Sequence, residues 1–152
     1  MKKTALITIL LVLLMAWVPA SRGEGRKAPE RPGKSDKCPV CGMFVYKYPD
    51  WVAAIRLPGG EVLYFDGAKD MFRHLRENSP MAEAWVTEYY GLTMIDATRA
   101  FYVLGSDVYG PMGRELIPFA TRAEAEEFMA DHKGRRILAF PEVDAEILKG
   151  LK

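Results

Sequence analysis

The sequence predicts an α+β fold in which two similar ββαβ-like units form one compact domain. Three observations support this fold: a hairpin pattern, two amphipathic helix patterns that each follow a strand, and a likeness between two segments. The segments "EVLYFDGAKDMF" and "ELIPFATRAEAEEFM" share a glutamate, two aliphatic residues, one variable position and a phenylalanine before a capped helix. We interpret this likeness as a weak internal repeat.

The first unit, predicted over residues 37–98, begins with a hairpin. "WVAAIRL" and "EVLYF" are strand-like, and "PGG" between them is a turn signal. Asp66 is predicted to cap the helix that follows and that ends at "NSP". "AWVTEYY" and "LTMIDA" are predicted to be extended. The apolar side chains of the helix recur at the spacing of one buried face: Ala68, Met71, Phe72 and Leu75.

The second unit, predicted over residues 99–152, repeats this order. "RAFYVLG" and "ELIPF" are strand-like and flank the tight turn "GPMG". Thr121 and Glu124 form a capping box that starts a helix, and Gly134 ends this helix before the strand "RRILAF". One face of the helix carries residues at helical spacing: Ala125, Phe128, Met129 and His132.

Residues 1–20 have the layout of a secretory signal peptide. Lys2 and Lys3 precede the apolar run "TALITILLVLLMAWV", and small residues lead to Ala20. The run is short for a membrane-spanning helix, and an uncleaved N-terminal anchor is the alternative. The Gly/Pro-rich segment 21–36 is predicted to be a flexible tether. Export would place the folded part in an oxidising compartment.

Composition argues against two classes of function. The net charge is +1 over the whole chain, and two positive charges lie in the signal segment, so no nucleic-acid-binding face is expected. The sequence shows no Ser/His/Asp set and no phosphate loop. The acidic residues Glu124, Glu126 and Glu127 fit a solvated helix face better than an acid–base pair. We therefore expect no catalytic residues and no enzyme activity.

Both cysteines of the chain, Cys38 and Cys41, lie in "SDKCPVCGMFVYKYP". A redox pair normally follows a buried strand and begins a helix, whereas polar tether precedes this pair and strand-like sequence follows it. A c-type haem site would need histidine in place of Gly42. A structural zinc site needs two more ligands, and the only histidines are His74 and His132. A disulfide here would close too small a loop to add much stability, although export favours pairing.

The cysteine loop also suits a soft monovalent metal, because thiolate and thioether sulfur select Cu(I). "CPVCGM" places the sulfur atoms of Cys38, Cys41 and Met43 within six residues. Met112 also lies beside glycine in turn-like sequence, and His132 lies at the end of its helix. We predict that the two cysteines bind one Cu(I) and that Met43, Met112 and His132 are further candidate ligands. A thiol–disulfide oxidoreductase and a structural zinc or disulfide module remain the alternatives.

Four segments resemble the NosL family, the copper-binding accessory proteins of nitrous oxide reductase maturation: "CPVCGMFVYKYPDWVAAI", "FDGAKDMFRHL", "FYVLGSDVYGPMG" and "ELIPFATRAEAEEF". The resemblance runs from about Lys37 to Phe140 and implies a fold of two similar small α+β units. It also implies a periplasmic Cu(I) chaperone that delivers copper to nitrous oxide reductase and works with a membrane-bound ABC-type maturation complex. Family members are usually lipoproteins, whereas this chain has no lipobox cysteine, so its N-terminal segment is the candidate for membrane association.

Overall fold

The computed structural model describes residues 27–78 and 81–151, which form two antiparallel sheets with packed helices. The first sheet has the strand order β2-β1-β3-β4. Its strands are β1 (Ala53–Arg56), β2 (Val62–Phe65), β3 (Glu83–Thr87) and β4 (Met94–Asp96). Helix α1 (Ala68–Glu77) connects β2 to β3.

The second sheet has the strand order β6-β5-β7. Its strands are β5 (Phe101–Gly110), β6 (Gly113–Phe119) and β7 (Arg136–Ala139). Helix α2 (Arg122–Asp131) connects β6 to β7, and the short helix α3 (Ala145–Lys149) follows β7. Three short 3-10 turns complete the described elements: Val45–Lys47, Pro49–Trp51 and Phe140–Glu142.

The two units share one topology. In each unit the first strand is central, its hairpin partner lies on one side, and the strand after the helix lies on the other. The register agrees as well, because Ala53 pairs with Phe65 and Val86, and Phe101 pairs with Phe119 and Ala139. This arrangement confirms the predicted α+β fold of two ββαβ-like units.

The second sheet is buried on both faces. Successive side chains of a strand point to opposite faces, and Tyr102 and Leu116 join the larger core around α1. Their neighbours Val103 and Ile117 join the smaller core with Phe128 of α2. The sheet therefore lies between α1 and α2, and the two units pack into one body.

The helix starts differ between the units. Helix α2 begins with the predicted capping box of Thr121 and Glu124. The prediction that Asp66 caps α1 is wrong, because the N-cap is Gly67 and no side-chain cap bond is formed there. The Asp66 carboxylate instead accepts a hydrogen bond from the Cys41 thiol. Glu115 caps α1 instead of Asp66, because its carboxylate accepts a hydrogen bond from the Lys69 N–H at 2.6 Å.

The described part of the predicted tether lies against the first sheet. The Tyr64 hydroxyl donates a hydrogen bond to the Glu30 carbonyl at 2.7 Å, and Arg56 donates to the Lys27 carbonyl at 3.4 Å. The predicted signal peptide, 1–20, lies outside the described residues. No helix within 27–78 and 81–151 has the length and apolar character needed to cross a membrane.

Candidate metal site

The cysteine loop is closed by its own backbone. Lys37 and Phe44 pair as an isolated antiparallel bridge. The Cys38 N–H donates to the Met43 carbonyl, and the Gly42 N–H donates to the Cys38 carbonyl, both at 2.8 Å. Gly42 has a φ of 78°, a conformation that glycine adopts without a steric penalty. A tight loop, and not a helix N-terminus, therefore presents the two thiols, and neither forms a disulfide.

Two carboxylates face this loop from the start of α1. Asp66 follows strand β2, and Asp70 lies in the first turn of the helix. The Cys41 Sγ donates to Asp66 Oδ1 at 3.1 Å, and the Cys38 Sγ donates to Asp70 Oδ2 at 3.7 Å. One ligand atom from each of the four residues lies within 4.8 Å of the others. The chain thus brings two sulfur and two oxygen donors together.

This group of four residues is largely withdrawn from solvent. Cys38 is 1% exposed, and Asp66 and Asp70 are each 2% exposed. Asp70 Oδ1 accepts a hydrogen bond from Arg73 at 3.0 Å. Asp66 Oδ2 is buried and has no hydrogen-bond partner among the described residues. A buried carboxylate oxygen without a donor is unfavourable, and a bound cation would remove this penalty.

Both thiols are held in the protonated form at neutral pH. Burial is the largest influence, and it raises the pKa of Cys38 and of Cys41 above the ordinary value of 9.0. The Asp66 carboxylate raises both pKa values further, while backbone N–H groups of the loop oppose the shift. Metal ligation needs the thiolate, so a metal that binds here must displace thiol protons.

Of the five predicted ligands, the structure brings Cys38 and Cys41 together in the four-residue group. Cys38 and Cys41 lie side by side, and Met43 follows them with a partly buried side chain. Met112 lies at the β5–β6 turn with its side chain 46% exposed, and its carbonyl accepts a hydrogen bond from the Lys69 Nζ of α1 at 2.8 Å. The turn is therefore held beside the start of α1.

His132 lies outside the group of four residues. It is the C-cap of α2, its Nδ1 lies 3.1 Å from Asp107 Oδ1, and its ring stacks on Phe128 at 4.3 Å between centroids. The full ligand set, with Met43, Met112 and His132 as additional members, stays a prediction.

The sequence analysis missed Asp66 and Asp70. Residues four positions apart around a helix start lie on the same side of the helix, so "DGAKD" could have indicated two carboxylates aimed at one point. Capping by Asp66 was the competing interpretation. With Asp66 and Asp70, the zinc alternative has the two further ligands that His74 and His132 do not provide.

Comparison with known proteins gives consistent results. The family model for NosL matches residues 29–148. The copper-binding lipoprotein NosL of Stutzerimonas stutzeri is 28% identical over 156 residues, which cover 92% of this chain and 81% of that protein. The crystal structure of the copper chaperone NosL from Shewanella denitrificans superposes with a TM-score of 0.70 at 23% identity, covering 79% of this chain and 98% of that one.

A solution structure of apo-NosL from Achromobacter cycloclastes has a TM-score of 0.49 at 30% identity, over 63% of this chain and 87% of that one. The Shewanella likeness confirms the α+β fold. Because the family model spans both sheets, both long helices and the cysteine loop, this chain belongs to the NosL family.

Proposed function

We propose that this protein is a copper chaperone that binds one Cu(I) at the loop of Cys38 and Cys41. The observation that carries the proposal is the pair of adjacent thiols, Cys38 buried and Cys41 partly buried, beside an Asp66 oxygen that has no hydrogen-bond partner among the described residues. Thiolate and thioether sulfur select Cu(I) over harder ions. The names of the Stutzerimonas and Shewanella relatives, which mention copper, support the choice of metal.

Binding requires the two thiol protons to leave, and the nearest bases are the carboxylates. Asp66 accepts a hydrogen bond from the Cys41 thiol, and Asp70 accepts one from the Cys38 thiol. The single charge of Cu(I) offsets only one of two thiolates, so a site with both carboxylates ionised would hold excess buried negative charge. The Arg73 guanidinium, which donates to Asp70 at 3.0 Å, offsets part of this charge.

Zinc is the second candidate, and a specific observation favours it. Two thiolates and two carboxylate oxygens form a complete four-donor set of the kind that tetrahedral Zn²⁺ accepts. Asp66 and Asp70 are the two further donors that a zinc site at Cys38 and Cys41 would need. In this case Asp66 and Asp70 would be ionised ligands, whereas Cu(I) would be held mainly by sulfur.

A metal competition experiment separates these two functions. Reduced protein prepared without oxygen is titrated with Cu(I) against a chromogenic chelator, and separately with Zn²⁺. We expect one equivalent of Cu(I) to be retained, with loss of retention in Cys38→Ser and in Cys41→Ser. Asp66→Asn should weaken Zn²⁺ binding more than Cu(I) binding. Preferential retention of Zn²⁺ by the unmodified protein would overturn the copper proposal.

A thiol–disulfide oxidoreductase would need at least one reactive thiolate, usually created by a lowered thiol pKa at a helix start. Here the thiols lie in a loop, and burial raises the pKa of each. We therefore expect this protein to add negligibly to the rate at which dithiothreitol alone reduces insulin, relative to thioredoxin as the positive control. Turnover comparable to that of thioredoxin would favour the oxidoreductase.

We further propose that the protein works in the periplasm and delivers copper to nitrous oxide reductase, directly or through its membrane-bound ABC-type maturation complex. Membership of the NosL family and the signal-like segment 1–20 support this role. Deletion of the protein in its host should lower the copper content of purified nitrous oxide reductase. The unmodified protein should restore it, and Cys41→Ser should not. A reductase with full copper content in the deletion strain would rule this client out.

A further inference from the structure

The first helix lacks a capping side chain of its own, unlike its counterpart in the repeat. In α2, Thr121 Oγ1 accepts the Glu124 N–H at 3.3 Å, and Glu124 Oε2 accepts the Thr121 N–H at 2.9 Å. The corresponding N-cap of α1 is Gly67, which has no side chain, and the preceding Asp66 is engaged with Cys41. The first N–H groups of a helix have no partner within the helix and need one from elsewhere.

Glu115, on strand β6 of the second unit, supplies that partner. Its Oε1 accepts the Lys69 N–H at 2.6 Å and the Leu116 N–H at 2.9 Å. A Cβ atom added to Gly67 would clash with Glu115 Oε2. The Glu115 carboxylate therefore fills the space that a side chain at the N-cap would occupy.

The Lys69 side chain makes the reverse connection. Its Nζ donates to the carbonyls of Met112 and Arg114, both at 2.8 Å. The backbone of α1 thus donates to a side chain of the β5–β6 hairpin, and a side chain of α1 donates to the backbone of the same hairpin. Lys69 and Glu115 are both buried, so water does not replace these partners easily.

We propose that Glu115 is a positioning residue for the metal site. Gly67 and Lys69, which contact its carboxylate, lie between Asp66 and Asp70 in the chain. By capping α1 from the second unit, Glu115 leaves Asp66 free to bind the Cys41 thiol and keeps the first turn, with Asp70, in place. This role rests on the proposed binding of copper by the four-residue group.

The test compares three variants in the full chain. Glu115→Ala should weaken Cu(I) retention by about 10- to 100-fold, the usual effect of removing a group that orients metal ligands. Glu115→Gln should stay close to the unmodified protein, because its amide oxygen can accept the same two N–H groups. Thr121→Ala is the matched control, because it removes a cap from α2, away from the metal site. It should lower apo stability without changing copper affinity.

Two further measurements keep the role testable if Glu115→Ala does not fold. Gly67→Ala should displace the carboxylate and weaken copper retention, because the φ of 176° at this position suits alanine and only the contact with Glu115 opposes it. Amide hydrogen exchange of Lys69 in the apo protein reports the cap without any metal. It should accelerate in Gly67→Ala and in Glu115→Ala by more than their loss of global stability accounts for, and in Thr121→Ala by no more than that loss.

The outcomes separate the two proposals. An unmodified protein that does not retain Cu(I) would overturn the proposed function and the positioning role with it. The positioning role alone would be overturned by a different result: the unmodified protein retains Cu(I), and Gly67→Ala or Glu115→Ala retains it equally well although amide exchange at Lys69 is faster. A loss of affinity in Thr121→Ala as large as in Glu115→Ala would also overturn it, since general stability would then explain both.

Discussion

Asp66 stands where a helix cap was expected, yet its carboxylate faces a thiol. One oxygen accepts a hydrogen bond from the Cys41 thiol at 3.1 Å, and the other is buried and has no hydrogen-bond partner within 27–78 and 81–151. The partnerless oxygen is unfavourable in the metal-free protein, and a cation or a transferred proton would satisfy it. At the level of single residues, the binding site therefore includes a local penalty that ligand binding can relieve.

The two methionines Met112 and Met129 should respond oppositely to truncation. Met112 is a predicted ligand, so Met112→Ala should weaken Cu(I) retention. Because Met112 is 46% exposed at its turn and buries little apolar area, the apo melting temperature should stay almost unchanged. Met129 is partly buried and packs against the smaller core, so Met129→Ala should destabilise the apo protein by about 2 kcal/mol, the low end for a core methionine, with copper binding largely retained.

Cu(I) competition and thermal melting of the apo form, measured on both methionine variants, check this pair of expectations. Unchanged affinity in Met112→Ala, or a large fall in its melting temperature, would show that this methionine contributes to packing and not to ligation.

The role of a residue could be predicted from the sequence where its partners are close to it in the chain, and not where its partners are distant in the chain. The Cys38–Cys41 pair was evident because its spacing is local. Asp66 and Asp70 were not recognised, because the loop that approaches them lies 25 and 32 positions away in the chain. No periodic pattern records such a contact.

At the level of elements, the two helices show the same contrast. The capping box of α2 is contained within four residues and was predicted correctly. The cap of α1 comes from Glu115, which is 46 positions from Lys69. The glutamate shared by the two repeat segments gave no hint of this, because its copy in the first unit, Glu61, is exposed. The succession of strands and helices along the chain, in contrast, followed from hairpin and helix patterns that are local in both units.

The buried Glu115 should give the apo protein a distinctive pH dependence. Burial raises its pKa from 4.5 to about 7, with Asp70 adding to the shift while the Leu116 and Lys69 N–H groups and the Lys69 charge oppose it. A raised pKa means that the folded state prefers the protonated acid. The stability from this group is complete below about pH 4.5 and is lost as the pH rises through about 7.

Glu115→Gln cannot ionise and should not show this loss. The unfolding free energy of the variant, measured by denaturant titration of the apo form, should therefore rise relative to the unmodified protein between about pH 4.5 and about pH 7. A difference between the two proteins that stays constant over this range would contradict the ionisation of a buried Glu115.

At the scale of the whole molecule, the second sheet contributes side chains to both hydrophobic cores. Tyr102 and Leu116 contribute to the core around α1, and Leu148 and Leu151 from the C-terminal segment join them there. The internal repeat predicted two units, but their packing could not be predicted. Both faces of β5 are apolar, and an apolar strand pattern does not say which helix covers which face.

We expect the two units to unfold in one transition, because α1 takes its cap and part of its core from the second unit. Trp85 reports on the first sheet, and Trp51 packs against the smaller core of the second unit. Denaturation curves are measured on Trp51→Phe and Trp85→Phe in a chain without residues 1–20, which removes Trp17. Within each variant, the fluorescence of the one remaining tryptophan and circular dichroism should give the same midpoint and the same m-value. Separate fluorescence and circular dichroism transitions within one variant would show that the units unfold independently.

Burial of the Cys38 and Cys41 thiols also sets how long the metal-free protein keeps its binding capacity. Oxidants and foreign disulfides react with thiolates, so the raised pKa of both thiols, together with the 1% exposure of Cys38, slows the formation of sulfenic acid or mixed disulfides. A metal ion does not depend on a preformed thiolate, because it displaces the proton as it binds. The same burial thus protects the thiols of the metal-free protein from oxidation while leaving them able to bind a metal ion.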